Sequence, residues 1–192
     1  MQLSPTDENA MRKLTSHLFI SLDGVVEAPD TFVRPNLYAD FDEFTRDTVA
    51  GQDAILLGRK TYQEWSQCWP DSTIEPFASF INNNPKFVVS RTLRNVEWKQ
   101  STLLDGDLAA AVGELKAQTG KTIGVHGSIS LVQSLLLAGL LDELHFLLCP
   151  VMAGHGRRLL DNQGDPVQLD LKHSRATPAG LHYLVYTPRP ST

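Results

Sequence analysis

The chain has 192 residues, 42% of them hydrophobic and 20% charged, a balance that excludes disorder and suits one domain with a sizeable core. A formal net charge of −5 argues against a general nucleic-acid or phospholipid surface, while leaving room for a small basic pocket. The two cysteines, Cys68 and Cys149, form no CxxC pair, so no zinc site is indicated.

Residues 1–13 are polar and irregular and are expected to form a loose tail, leaving 14–192 as a single domain. "LTSHLFISLDG" alternates as a strand with Leu18, Ile20 and Leu22 on one face, and Asp23-Gly24 marks a turn. Val25 and Val26 suggest a short extension. "YADFDEFTRDTVAG" has helical spacing with Phe41 and Phe44 inward and Gly51 near its stop. "DAILLG" and "PKFVVS" are short continuous apolar runs, as in strands covered on both faces. Pro70, Pro76 and Pro85 punctuate what reads as loop between them. "DLAAAVGELKAQTG" is a helix carrying Leu108, Val112 and Leu115 at helical spacing. "KTIGVHG" is a strand, "SISLVQSLLLAGL" a helix with Leu131, Val132, Leu135 and Leu136 inward, and "DELHFLLCPV" another strand. "VQLDLKHSRA" and "LHYLVYTP" alternate around the turn "TPAG", a β-hairpin pattern. The order predicts a three-layer α/β fold: a mostly parallel mixed sheet, helices on both faces and a C-terminal antiparallel hairpin. No N-terminal apolar run follows a basic start, and no stretch has the roughly 18 apolar residues that span a bilayer, so a cytoplasmic protein is expected. A single disulfide is an open alternative to two unpaired thiols.

Ligands of such sheets sit beyond the carboxyl ends of the strands, and three strand ends here share a chemistry. "GRKT", Gly58 to Thr61, places Arg59, Lys60 and Thr61 at a helix start, where free N–H groups favour phosphate. Two cations at that end are otherwise out of place, because a helix start carries partial positive charge. Ser90, Arg91 and Thr92 follow the "FVV" strand as a second hydroxyl and guanidinium cluster. "GVHGSIS" is the third: Gly127 permits close backbone approach, and Ser128 is placed to cap the next helix. Each loop alone also reads as a surface pair, a plain cap or a tight turn. Together they span a ligand bearing several phosphates, although neither the P-loop nor the G-x-G-x-x-G spacing is present.

The ordered set "SLDGVV", "LLGRKTY", "FVVSRTL", "GVHGSISLVQSLL" and "LDELHFLLCPVMAGHGRRLL" resembles the dihydrofolate-reductase-like superfamily. Within it, the set is most similar to the reductase domain of bifunctional riboflavin-biosynthesis proteins and its stand-alone bacterial relatives. The resemblance implies a sheet of about eight strands, NADPH as cofactor and a homodimer. It also implies roles. Arg59, Lys60 and Thr61 would hold cofactor phosphates, and Ser90 and Arg91, beside Thr92, would meet the adenosine end with its 2′-phosphate. Gly124, His126, Gly127, Ser128 and Ile129 would line the pyrophosphate and nicotinamide ribose. Three departures stand out. His126-Gly127 replaces a frequent glycine pair, and His17 replaces a lysine four residues before Ser21. "YQEWSQCWPDS" replaces an Asp-Pro-x-Leu-x-x-Arg stretch that helps hold a ribosyl phosphate.

The expected activity is NADPH-dependent reduction of a small heterocyclic substrate, of the 5-amino-6-(5-phosphoribosylamino)uracil reductase type or pterin/folate reductase-like. The alternative is an NADPH-binding regulatory module without turnover. Reducing a C=N or C=O bond needs a proton source. Candidates are Asp23, which otherwise reads as a turn aspartate, and Asp42, near where the resemblance places a substrate carboxylate. His126, which otherwise reads as structural, is the third. Ser21, Asp23, Trp65 and Arg157 are candidates for substrate binding. Core packing is the plainer reading of Trp65, and a surface turn that of Arg157. No metal is expected.

Overall fold

The computed structural model describes residues 11–161 and 165–189, so most of the expected tail lies outside the described residues. At its end, Arg12 is buried: Nε donates to the Lys121 carbonyl at 2.6 Å and the guanidinium pairs with Asp53.

Eight strands form one sheet in the order β4-β3-β2-β5-β1-β6-β8-β7. They are β1 (Leu14–Ser21), β2 (Gln52–Gly58), β3 (Lys86–Val89), β4 (Ser101–Leu104), β5 (Thr122–His126), β6 (Glu143–Cys149), β7 (Leu169–Ala176) and β8 (His182–Pro188). The first six run parallel, and β8 and then β7 add on antiparallel as the predicted hairpin. Parallel neighbours require crossovers, which helices supply except between β3 and β4: α1 (Tyr38–Ala50), α2 (Arg59–Cys68), α3 (Phe77–Asn83), α4 (Leu108–Ala117) and α5 (Ile129–Leu137).

Strand alternation sorts the core into two layers. Leu14 and Leu18 of β1, Leu56 of β2, Val125 of β5 and Leu144 of β6 pack under α4 and α5, through Val112, Leu115, Leu131, Val132, Leu135 and Leu136. On the other face α1 seats Phe41 and the partly buried Phe44 with Phe19, Leu147 and Cys149. There α2 and α3 seat Tyr62, Phe80 and Ile81 on Ile55, Leu57 and Val88. Between these two groups of helices, β1 and β5 present polar side chains or none.

Two elements lie where the sequence reading has loop. The helix α3 has seven residues with two asparagines at its end, too short to show a period, and Lys86 secures its exit by donating to the carbonyls of Ile81 and Asn84 at 2.8 and 3.0 Å. The strand β4 has four residues and pairs only with β3 at the sheet edge. Leu22, expected on one strand face with Leu18 and Ile20, lies past the end of β1 and is 58% exposed. Val25 forms an isolated bridge with Arg158, tying the segment after β1 to the one after β6. Cys68 is exposed, Cys149 is buried, and both are free thiols. Among the described residues no helix is long and apolar enough to cross a membrane.

Candidate active site

The turns after β2, β3 and β5 emerge side by side, because those strands are adjacent in the order β3-β2-β5 and parallel. The helix starts of α2 and α5 are fastened to each other. The Gly58 amide donates to Ser128 Oγ at 2.8 Å, and that hydroxyl donates to Thr61 Oγ1 at 2.8 Å. Thr61 Oγ1 also lies 3.3 Å from the Gly127 carbonyl. Ser128 therefore does not cap its own helix as expected; its hydroxyl bridges to the neighbouring one. Gly127 has φ +64°, and a Cβ there would lie 3.0 Å from Trp65 Cζ2, so glycine is required both by the backbone and by the ring beside it.

Arg59 and Lys60 are exposed at this rim. Arg59 donates to Gln63 Oε1 at 2.9 Å, and Lys60 stands 3.9 Å from Glu64. Arg91 and Thr92 are exposed on the adjacent turn, where Ser90 Oγ accepts from the Thr92 and Leu93 amides at 3.2 and 3.0 Å. Ile129 is half-buried at the start of α5. Three exposed cations, two helix N-termini and a bare glycine thus border one rim. That donor set fits an anionic ligand with phosphate groups. The hydroxyls of Ser90, Thr61 and Ser128 are already engaged within the fold.

Gly124, expected at the same rim, is buried inside β5 instead. A Cβ there would fall 2.1 Å from Gln52 Oε1 and 2.7 Å from His126 Nε2, so its missing side chain makes room for Gln52.

Asp23 and Ser21 form a structural knot. Ser21 Oγ donates to Asp23 Oδ1 at 2.6 Å, and the amides of Ala153 and Gly154 donate to the two carboxylate oxygens at 2.9 and 2.8 Å. These bonds, that of Ser21 first, hold the carboxyl far below its usual range. A carboxylate held so low has no proton to give near neutrality. Asp42 is exposed on α1; the carboxylate of that helix bordering a cavity is Asp47. Arg157 Nη2 donates to Ser130 Oγ at 3.1 Å, which places it beside the α5 start rather than in the cleft. Trp65 stands at the cleft's rim end, edge-on to Phe77, which in turn meets His126 at 5.3 Å between ring centroids.

The polar cleft between the helices of this face was not found from sequence. Register sets His17 opposite His126 on one side and His145 on the other. His17 and His126 stack at 5.2 Å, and His17 and His145 meet at 4.4 Å. Gln52 crosses from β2, its amide nitrogen 2.7 Å from His17 Nε2 and its oxygen 2.8 Å from His126 Nε2. Beyond His145, Glu143 lies 3.0 Å from its Nε2 and the Tyr183 hydroxyl 2.8 Å from its Nδ1. Lys13 donates to Glu143 at 2.7 Å.

Burial first, then the neighbouring imidazoles, lowers His17 well below 6.5, and burial pushes His126 down to about 3. His145 is lowered by burial against the opposing pull of Glu143. Burial, then the Glu143 charge, pushes the Tyr183 phenol up to about 12. The row is therefore neutral at pH 7. A cavity of about 230 Å³ adjoins it, bordered by His17, Gln52, His145, Tyr183, Asp47 and Arg175. Among the described residues no group of three or more His, Cys, Asp or Glu side chains is arranged to hold a metal ion. Polar residues at buried positions of "LTSHLF", "GQDAIL" and "DELHFL" were the available sequence signal.

Comparison with known proteins agrees with this architecture. The family model of the RibD C-terminal domain matches residues 12–183. The uncharacterized protein YyaP of Bacillus subtilis (strain 168) is 27% identical over 185 residues, covering 94% of this chain and 97% of its own. A candidate riboflavin biosynthesis protein from Shewanella sp. PV-4 superposes with a TM-score of 0.72 at 19% identity, covering 93% of this chain and 99% of its own. A pyrimidine reductase-like protein from Corynebacterium diphtheriae gives 0.65 at 15% identity, over 94% and 93%. Dihydrofolate reductase from Enterococcus faecalis, complexed with NADP(H), gives 0.61 at 13% identity, over 93% and 97%. At such identities the structural likenesses show a shared fold, that of dihydrofolate reductase.

Proposed function

The chain belongs to the RibD C-terminal domain family, and from that premise we propose that it is an NADPH-dependent reductase of a small heterocyclic substrate. The observation that carries this reading is the convergence of three strand-end turns on one rim, with the α2 and α5 starts joined through Ser128. Arg59, Lys60 and Arg91 would hold cofactor phosphates, Arg91 nearest the 2′-phosphate, and the bare face of Gly127 would admit the backbone to the pyrophosphate. The reduced nicotinamide supplies a hydride when bound.

The chain's own residues supply the rest. Gly127 and Trp65 shape the rim end of the cleft, and His17, Gln52, His145 and Tyr183 border the cavity in which the substrate is placed. The cavity is smaller than the ~300–1,000 Å³ typical of drug-sized ligands, which favours a single ring such as a pyrimidine. His17 stands where the related reductases carry lysine, and no Asp-Pro-x-Leu-x-x-Arg stretch follows the "GRKT" turn, so the ring is read without its ribosyl phosphate.

Fluorescence titration tests the cofactor. NADPH should bind roughly ten- to a hundred-fold more tightly than NADH, the worth of a charge-assisted contact of about 1.5–3 kcal/mol. Equal affinities would remove Arg59 and Arg91 from the 2′-phosphate, and no binding of either below millimolar would end the reductase reading. NADPH binding without oxidation across pyrimidines, pterins and folates would point to a binding module. The family likeness carries the further expectation of a cytoplasmic homodimer, which light scattering tests for its oligomeric half.

A further inference from the structure

Of the crossovers between parallel strands, only that from β3 to β4 lacks a helix. Residues 90–100 run there as an irregular strap beside α2. Side chains hold the strap in place. Tyr62 Oη accepts from the amides of Glu97 and Trp98 at 2.8 and 3.1 Å, and Trp98 Nε1 donates to Asn82 Oδ1 at 3.1 Å. Asn82 in turn donates to the Trp69 carbonyl at 2.8 Å, and Lys86 Nζ lies 4.8 Å from the centre of the Trp98 ring. A strap is narrower than a helix, which is ~10–12 Å across with its side chains, so it leaves space along α2. That space is a cleft of about 800 Å³, within the ~300–1,000 Å³ of small-molecule sites. It follows the flank of α2 that carries Tyr62, Gln63, Ser66 and Gln67, whereas Thr61 and Trp65 turn toward Gly127.

Carboxamides dominate the lining: Gln63 and Gln67 of α2, Asn82 and Asn83 of α3, and Asn95 of the strap. Gln63, Gln67, Asn83 and Asn95 are exposed, so their heads are open to a ligand. Gln63 Oε1 already accepts from Arg59, which leaves Gln67, Asn83 and Asn95 the freer three. A carboxamide both donates and accepts whichever way it is turned. A hydroxyl does the same, so these groups match the hydroxyls of a sugar. Of the lining side chains only Glu97 and Lys99 are charged, and they offset each other, so the cleft favours neither an anion nor a cation. Leu93, Tyr62 and Trp98 supply apolar surface on which the C–H face of a sugar ring packs. We propose that this cleft is a second ligand site, which takes a neutral sugar of mono- or disaccharide size through these carboxamides. It shares no lining residue with the cavity at His17 and needs no coenzyme, so it stands apart from the reductase reading.

Proton–nitrogen correlation spectra of the ¹⁵N-labelled protein, without coenzyme, resolve the side-chain NH2 groups, and substitutions one at a time assign them. Maltose or D-glucose at millimolar concentration should shift the NH2 signals of Gln67, Asn83 and Asn95 along a saturable curve and leave that of Gln52 unmoved. Gln67→Ala and Asn95→Ala replace exposed side chains, so both variants should fold, and each should weaken sugar binding about threefold to tenfold, the worth of one hydrogen bond. Glucose 6-phosphate should bind no more tightly than glucose. The proposal is overturned if neither neutral sugar moves the three signals, or if maltose binds the double variant Gln67→Ala/Asn95→Ala as tightly as wild type. Signals that glucose 6-phosphate moves and the neutral sugars do not would overturn it as well, because the recognised group would then be the anion. These spectra contain no NADPH, so the outcome is separate from that of the cofactor titration.

Discussion

Gly124→Ala probes the core of the site with one added methyl group. Gly124 does not have a positive φ, so alanine should suit the strand and gain about 0.5–1 kcal/mol in backbone terms. Packing opposes this, because the new Cβ would lie 2.1 Å from Gln52 Oε1 and 2.7 Å from His126 Nε2. Overpacking of that kind costs about 1–3 kcal/mol. Pushing Gln52 aside also breaks its two bonds to imidazoles, at about 0.5–1.5 kcal/mol each. The balance is a loss of about 3 kcal/mol, which for a domain of this size lowers Tm by about 6–12 °C. Calorimetry and urea unfolding measure it. Gln52→Ala makes the decisive partner. Alone it leaves His126 Nε2 unpaired and His17 Nε2 with Thr15 only, but in its background the nearer of the two clashes is gone, so the double variant should fall short of the summed losses by at least about 1 kcal/mol. A Gly124→Ala protein as stable as wild type, or strict additivity with Gln52→Ala, would refute the account of the row.

Acid should destabilise the fold through the same residues. Their folded pKa values lie below the ordinary 6.5, so below that pH the unfolded chain binds more protons and stability falls as pH drops, down to the folded values, about 3 for His126. The slope is about 1.4 kcal/mol per pH unit for each histidine involved, and pH-dependent unfolding of His126→Gln should be flatter. Gly127→Ala should weaken NADPH binding at least tenfold, because it strains a φ of +64° and presses on Trp65; an unchanged Kd would detach that turn from the cofactor. Asp23→Ala should speed hydrogen exchange at the Ala153 and Gly154 amides severalfold, with NADPH affinity little changed, and a selective loss of cofactor would restore Asp23 to the chemistry.

The parallel strands were legible because burial on both faces leaves unbroken apolar runs, as in "AILLG", and the hairpin because one-sided burial leaves strict alternation. Inward residues of α4 and α5 follow helical spacing and appear where it places them. The rim was marked in the sequence by residue chemistry: Gly58, Arg59 and Thr61 after β2, Ser90 and Arg91 after β3, and Gly127 and Ser128 after β5. The cleft was not. His17, Gln52, His126 and His145 are scattered over the chain, and strand register, which no local pattern encodes, brings them together. Asp42 shows the converse: counting along the chain placed it near the substrate, but the helical turn that buries Phe41 leaves it facing water.

The bridge through Ser128 also bears on engineering. A hydroxyl has one hydrogen to give, and this one gives it to Thr61 while receiving that of the Gly58 amide. A Cβ at residue 58 would press on Ser128 Oγ at 3.3 Å. Randomised libraries selected for coenzyme retention should therefore return positions 58, 61 and 128 as an inherited trio, changing together or hardly at all. Arg59 and Lys60, whose heads lie free of that joint, should drift independently and offer the practical handle for altering coenzyme preference.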